Sequence, residues 1–290
     1  TLRSSFQITA PAKLNIGLMV TGRRPDGYHD LVSVMVPIDL VDRLYLTLIP
    51  EKEIRLLCEG HPVPSGGGNL VYRAVQAFLA GAERQEGVSV TLVKNIPVAA
   101  GMGGGSSDAA AALLALNKMY SGILPFDHLK EMALRLGADV PFFLKPAPSL
   151  ARGVGEILEP LERWPEVWYV IVMPPLQVST SWVFGNLKLK LTSGVDEYIK
   201  KSSSNDPFAI FQHLENDLET VTSVHFPVIG QIKNRLQDAG ALCALMSGSG
   251  PSVFGVFTSR GRAAEAKKVL STQGLGDVLM ATNWQGAGSS

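Results

Sequence analysis

The chain has 290 residues, 46% of them apolar and 18% charged, which excludes a disordered chain and leaves room for one large domain or two medium ones. The 26 Lys and Arg balance the 26 Asp and Glu, so a whole-surface grip on nucleic acid or anionic lipid is not expected, though a local basic site is compatible with neutrality. Cys58 and Cys243 each lie in or beside an apolar, strand-like stretch and predict two free thiols in a reducing compartment; a disulfide is unneeded at this size.

The opening TLRSSFQITAPAK lacks the apolar core of a signal peptide, and its start at Thr1 leads us to expect a processed or trimmed chain. Residues 12–20 alternate: Ala12, Leu14, Ile16, Leu18 and Val20 on one strand face, Lys13, Asn15, Gly17 and Met19 on the other. RPDGYH at 24–29 is a turn signal. Runs 31–37 and 43–49 read as two strands. GGGNLVYRAVQAFLAG predicts a helix with Asn69 as N-cap and Gly81 past its end. Residues 88–94 alternate as a strand, followed by a glycine-rich loop and a helix from about Ser106 to Tyr120. Asp127 is expected to cap a further helix that stops at Gly137. The pattern restarts near 160, with a buried-strand run at 168–173, a helix over 180–200 and a polar loop, KKSSSND. HFPVIGQIKNRLQDAG predicts a helix with a glycine stop; ALCALM and SVFGVF are strands joined by SGSGP; SRGRAAEAKKVLSTQG is a helix and 277–281 a last strand. The tail GAGSS reads as a frayed end, and no apolar run approaches the ~18 residues of a membrane span.

The densest chemical signal is KNIPVAAGMGGGSSD at 94–108, between a strand and an alanine-rich helix. Glycines let backbone N–H groups converge, and the unsatisfied donors and positive end of the helix favour an anion. No Gly-Lys-Ser/Thr follows, so this is not a Walker A loop, and Ser106 stands where a dinucleotide fingerprint needs its third glycine. The alternative is a plain strand-to-helix turn capped by Ser106 or Ser107. SGSGPS at 247–252 reads either as a hairpin turn or as a backbone that approaches a ligand on the first half. Asp139, in LGADVPFF, is an N-cap, a structural ion pair or a catalytic carboxylate; Lys13 is a snorkelling cation or part of a site. The five histidines lack metal-ligand spacing, no nucleophilic triad stands out, and the Cys58–His61 proximity reads as chance.

Taken together, PAKLN, PVAAGMGGGSS and SGSGPS resemble in order the three motifs of the GHMP kinases, the small-molecule kinases that include galactokinase, homoserine kinase and mevalonate kinase. PAKLNIGLMVTGRRPDGYHDL and LGADVPFF resemble the branch of that superfamily whose acceptor is a cytidylyl-methylerythritol. The resemblance is strong over 10–160 and 246–257 and weak over about 185–225. Met102 stands where leucine is usual, a volume-conserving change.

The resemblance implies a mixed α/β, two-domain kinase: residues 1–160 like ribosomal protein S5 domain 2, residues 161–290 a ferredoxin-like α+β domain. ATP would lie with its phosphates on the loop Pro97, Val98, Ala99, Ala100, Gly101, Met102, Gly103, Gly104, Gly105, Ser106 and Ser107, with Asn69 and Lys94 near the nucleotide. Lys13 and Asp139 match the catalytic pair. Tyr28 and His29 match residues that hold a cytosine, Phe184 a second aromatic over it with Trp182 competing for that place, and Asn15 would reach the erythritol hydroxyls. The implied reaction is ATP-dependent phosphorylation of the 2-hydroxyl of the methylerythritol moiety in non-mevalonate isoprenoid precursor synthesis, with Mg2+ carried by ATP and no metal site of the protein's own. A monomer or weak homodimer without nucleic-acid or membrane partners is expected. So is a bacterial cytoplasmic location, although a plastid stromal enzyme stripped of its transit peptide would look the same. The competing readings are another GHMP kinase, for mevalonate or homoserine, and a catalytically dead ligand sensor.

Overall fold

A computed structural model describes residues 4–188, 195–202, 204–212 and 214–286. The chain opens with two long antiparallel strands, β1 (Ser5–Arg23) and β2 (His29–Ile49), joined by the predicted turn, where Gly27 takes φ +89° and Asp26 Oδ1 accepts the Tyr28 N–H at 3.0 Å. The two runs expected at 31–37 and 43–49 are one strand. Between them the pairing with β1 continues through a bulge opposite Pro11–Ala12. The polar residues that read as breakers have tertiary partners: Asp39 Oδ1 accepts the Thr282 N–H at 2.8 Å, and Asp42 is fully buried in an ion pair.

The far half of β2 pairs with β4 (Gly87–Lys94), which lies parallel to the edge strand β3 (Ile54–Gly60); the near half pairs with β5 (Ser149–Gly153), followed by β6 (Ile157–Pro160). Helices α1 (Leu70–Gly81), α2 (Gly104–Met119), α3 (Phe126–Leu136) and the short α4 (Val140–Leu144) share one core with this sheet, in which Val71, Ala74, Val75 and Phe78 of α1 are fully buried. Asn69 caps α1, accepting the Val71 N–H at 2.8 Å, as its sequence position predicts. Gly81 is inside the helix, with Ala82 as C-cap. Asp127 does not cap α3; Pro125 holds that position, and Asp127 lies in the first turn, where a carboxylate still favours the dipole.

The second sheet runs β10-β7-β9-β8, all antiparallel: β7 (Trp168–Met173), β8 (Cys243–Met246), β9 (Val253–Phe257) and β10 (Asp277–Thr282). With α8 (Val228–Asp238) and α9 (Arg260–Leu270) as crossovers this is the β-α-β-β-α-β arrangement of a ferredoxin-like unit. The helix expected over 180–200 is instead α5 (Thr180–Asn186), ended by the extended Leu187, and α6 (Val195–Ser202); residues 189–194 of that expectation lie outside the described residues, as does the tail 287–290. The predicted polar loop starts only after Ser202, and α7 (Glu219–His225), whose β-branched run ETVTSVH hides its periodicity, is additional.

The two sheets share a core. Ala12, Leu14, Ile16, Val34 and Val36 of the first pack with Tyr169, Ile171, Phe254 and Val256 of the second. Cys58 and Cys243 are both free. Among the described residues no helix is long and apolar enough to cross a membrane.

Candidate active site

A cavity of about 1140 Å³ lies where β1, the 95–103 loop, the start of α4 and the Gly248–Ser249 turn meet. Its floor comes from the alternation of β1. Lys13 and Asn15 share the face opposite Leu14 and Ile16, and both are almost fully buried (4% and 2%). The alternation does not persist to residue 20. A bulge between Asn15 and Leu18, with Gly17 at φ +86°, turns Leu18 into the cavity wall and sends Met19 into the core with Leu14 and Ile16.

The Lys13 Nζ hydrogen-bonds Asn15 Oδ1 and lies 3.6 Å from Asp139 Oδ2. Asp139 occupies the N-cap position of α4 but makes no side-chain cap bond, so the carboxylate is spared for the cavity, with its side chain 34% exposed. Asn15 is itself held: its Nδ2 donates to Ser33 Oγ at 2.9 Å, Ser33 donates to the Gly17 carbonyl at 2.6 Å, and the Asn15 N–H donates to Ser247 Oγ at 3.2 Å. Ser247 Oγ in turn donates to the Gly101 carbonyl at 3.0 Å. The SGSGP turn therefore braces the glycine-rich loop against β1.

Residues 97–106 all line the cavity. Neither Ser106 nor Ser107 caps α2. The helix begins earlier, at Gly104, with Gly103 as N-cap in the left-handed conformation (φ +69°) and no side-chain cap bond. An uncapped helix start facing a cavity leaves first-turn N–H groups directed at whatever occupies it. Close approach explains the glycines. A Cβ on Gly101 would run into the Ser247 carbonyl, one on Gly103 would lie 2.9 Å from the Phe143 ring, and one on Gly104 would lie 2.7 Å from Lys94 Nζ.

Three expected nucleotide residues are placed differently from the loop: Asn69 and Lys94 border the cavity but are bonded within the protein, and Ser107 is buried away from it with its hydroxyl unpartnered. Ser107 does not line the cavity; it is buried and its N–H bonds the Gly103 carbonyl at 2.9 Å. Asn69 lines the cavity, but its amide is spent on capping α1 and on donating to the Pro64 carbonyl at 2.8 Å. Lys94 is 4% exposed, paired with Asp42 and with Asp108 Oδ2 at 2.8 Å.

At the far end, Tyr28 is 62% exposed on the cavity rim, and His29 stacks on Phe184 with ring centroids 5.1 Å apart. Burial lowers the His29 pKa from its ordinary value, and the charge of Arg23 adds to that, which favours the neutral imidazole. Trp182 turns away, packed edge-on against His225 and Phe226, so Phe184 is the aromatic that meets the cavity. Sequence reasoning missed Asp42, which sits between two apparent strands. It also missed Thr180, which carries no motif and whose hydroxyl pairs on the wall at 2.8 Å with that of Ser249 in the SGSGPS turn. Among the described residues no group of three or more His, Cys, Asp or Glu is gathered as a metal cluster.

The family model described as GHMP kinases N terminal domain matches residues 69–145, and that described as GHMP kinases C terminal matches 195–275. A 4-diphosphocytidyl-2-C-methyl-D-erythritol kinase of Syntrophotalea carbinolica is 47% identical over 264 residues, 91% of this chain and 94% of its own. A crystal structure of a kinase of that name aligns with TM-score 0.80 and 36% identity over 97% of this chain and 100% of its own. Homoserine kinase from Cytophaga hutchinsonii, at 22% identity and TM-score 0.78 over 98% and 96% of the two chains, shares the fold.

Proposed function

This chain belongs to the 4-diphosphocytidyl-2-C-methyl-D-erythritol kinases of the GHMP kinase superfamily, small-molecule kinases with ATP as co-substrate, and from that membership we propose how its residues carry the transfer. The acceptor is 4-diphosphocytidyl-2-C-methyl-D-erythritol and the product its 2-phosphate, an isoprenoid-precursor step. The observation that carries this reading is the Lys13–Asp139 pair, which lies in one cavity with the uncapped start of α2 and the Tyr28–His29–Phe184 aromatic end. A pocket for a base is useless to a kinase of mevalonate or homoserine.

Phosphoryl transfer asks for positioning and charge stabilisation more than covalent chemistry. The N–H groups of the 97–106 loop and the positive end of α2 hold the β- and γ-phosphates. Asp139 accepts or orients the hydroxyl proton of the acceptor, and Lys13 keeps that carboxylate ionised and offsets charge on the moving phosphoryl. Beyond its bonds to Lys13 and Ser33, Asn15 keeps one amide N–H and one carbonyl lone pair for the erythritol hydroxyls, while Tyr28, His29 and Phe184 hold the cytosine by stacking and hydrogen bonding. Mg2+, carried by ATP, would offset phosphate charge; the Asp139 carboxylate is one oxygen donor in the cavity that would suit a cation keeping much of its water. The working unit is a cytoplasmic monomer or weak homodimer, divided at about residue 160 between an ATP-binding half and a ferredoxin-like half, without nucleic-acid or membrane partners.

A coupled ADP-release assay with ATP and Mg2+ tests the acceptor. Turnover is expected with the cytidylyl-methylerythritol and not with mevalonate, homoserine or galactose. Turnover with one of the others overturns the acceptor while leaving the ATP loop in place; ATP binding without any turnover favours a ligand sensor.

A further inference from the structure

Three ionisable side chains lie together beneath the glycine-rich loop: Asp42 on β2, Lys94 at the end of β4 and Asp108 one turn into α2, with side-chain exposures of 0%, 3% and 2%. Lys94 Nζ pairs with Asp42 Oδ2 and donates to Asp108 Oδ2 at 2.8 Å. Asp42 Oδ1 accepts two backbone N–H groups, from Asn95 at 2.6 Å and Ile96 at 2.8 Å. These contacts tie the residues by which the chain leaves β4 to the turn by which it enters α2. The loop between those two points is the one that faces the cavity. Lys94 Nζ also lies under the backbone of Gly104, where a Cβ would come within 2.7 Å of it.

Buried charges are costly unless paired, and apolar side chains of the same size would pack this spot without that cost. Lys94 and Asp108 border the cavity, but the ammonium is already shared between Asp42 and Asp108. We propose that Asp42, Lys94 and Asp108 are positioning residues that fix the two ends of the phosphate loop and so set ATP affinity without touching ATP. This rests on the reading that the 97–106 loop carries the ATP phosphates.

The test compares Asp42→Asn, Lys94→Met and the combined variant in the full chain. It measures the ATP dissociation constant by calorimetry without acceptor, both KM values and the melting temperature. The asparagine can still accept the Asn95 and Ile96 N–H groups, so chiefly the ion pair is lost. Each single change is expected to weaken ATP roughly tenfold, with the acceptor KM within about twofold, and the combined variant no more than the worse single one, because the groups act as a unit. Should the singles fail to fold, the combined variant leaves no unpaired ammonium or Asp42 carboxylate and supplies the same reading; normal ATP affinity in it overturns the proposal. A shift confined to Lys94→Met makes that lysine a direct ligand, and one confined to Asp42→Asn removes Lys94 from the device; either overturns the proposal. ATP and acceptor constants that worsen together with stability reduce the cluster to a folding element and overturn it as well. Calorimetry on the native chain separates the premise: if adenosine binds as tightly as ATP, the loop is not the phosphate site, whatever the Asp42 result.

Discussion

Asp139 stands at a helix start yet leaves its capping bond unmade, and its partner is the ammonium of Lys13 at 3.6 Å. Asp139→Asn keeps the shape and removes the base. Turnover is expected to fall roughly 10²–10⁴-fold with ATP binding retained, and near-normal turnover would remove Asp139 from the chemistry. Phe184→Ala takes one face from the proposed base pocket. Base stacking of this kind is worth about 1–3 kcal/mol, so the acceptor KM should rise roughly tenfold or more while the ATP KM holds. Asp108 makes a pH prediction. Burial pushes its carboxyl up to about 8 from 3.8, against the pull of Lys94 and with a further push from Asp42; Cys58 is the other titratable group that feels it. The folded chain therefore holds a proton that the unfolded chain releases near 3.8. The stability from that proton is full below the unfolded value and is lost as pH rises through about 8. The melting temperature of the native chain relative to Asp108→Asn should fall between about pH 4 and 8 and level off above; a constant difference would mean an ionised carboxyl throughout.

Among the elements, the loop and the first turn of α2 show why a glycine run is needed rather than one turn glycine. Gly103 has φ +69°, and a Cβ there would lie 2.9 Å from Phe143 and 3.2 Å from the Cε of Lys13; at Gly105 the nearest atom is Leu70 Cδ1 at 3.6 Å. Gly103→Ala should cost about 1–3 kcal/mol in backbone strain and depress kcat by displacing Lys13, whereas Gly105→Ala should unfold at the native temperature. Equal effects in thermal melts would remove the positional argument. The same scale marks the limit of strand patterning. Period-2 alternation located Lys13 and Asn15 on one face, but the bulge after Asn15 depends on the Tyr198 hydroxyl, which bonds the Ile16 carbonyl and accepts the Val34 N–H at 2.8 Å. That contact crosses more than 160 residues, so local periodicity carries no trace of it.

Across the whole molecule, the two sheets meet in one apolar core and the cavity opens beside that junction. Ile171 on β7 is fully buried there. Ile171→Ala should cost about 2–5 kcal/mol and lower a single calorimetric transition shared by both halves; two separating transitions would show that each sheet folds on its own core. Much of this was legible beforehand. The glycine loop, the turn at 24–29 and the helices α1, α8 and α9 have local signals in turn chemistry, caps and periodicity. The short strands β3, β5 and β6, the continuity of β2 and the early start of α2 do not, because edge pairing, a long bulged ladder and the contacts of Gly103 decide them.

What the sequence determined by itself is the inventory and its order: a glycine-rich loop ahead of a helix, a lysine and an asparagine on one strand face, a carboxylate after a helix stop, and a Tyr-His turn. These are local because turn dihedrals, helix ends and strand alternation are set within a few residues. Only the tertiary structure decided which groups are free to act. It spared Asp139 from capping, engaged Lys94 and Asn69 elsewhere, chose Phe184 over Trp182 at the cavity and introduced Asp42. Burial and pairing are properties of what packs against a residue from distant parts of the chain, and they decide whether a charged or polar side chain has a bond left to offer.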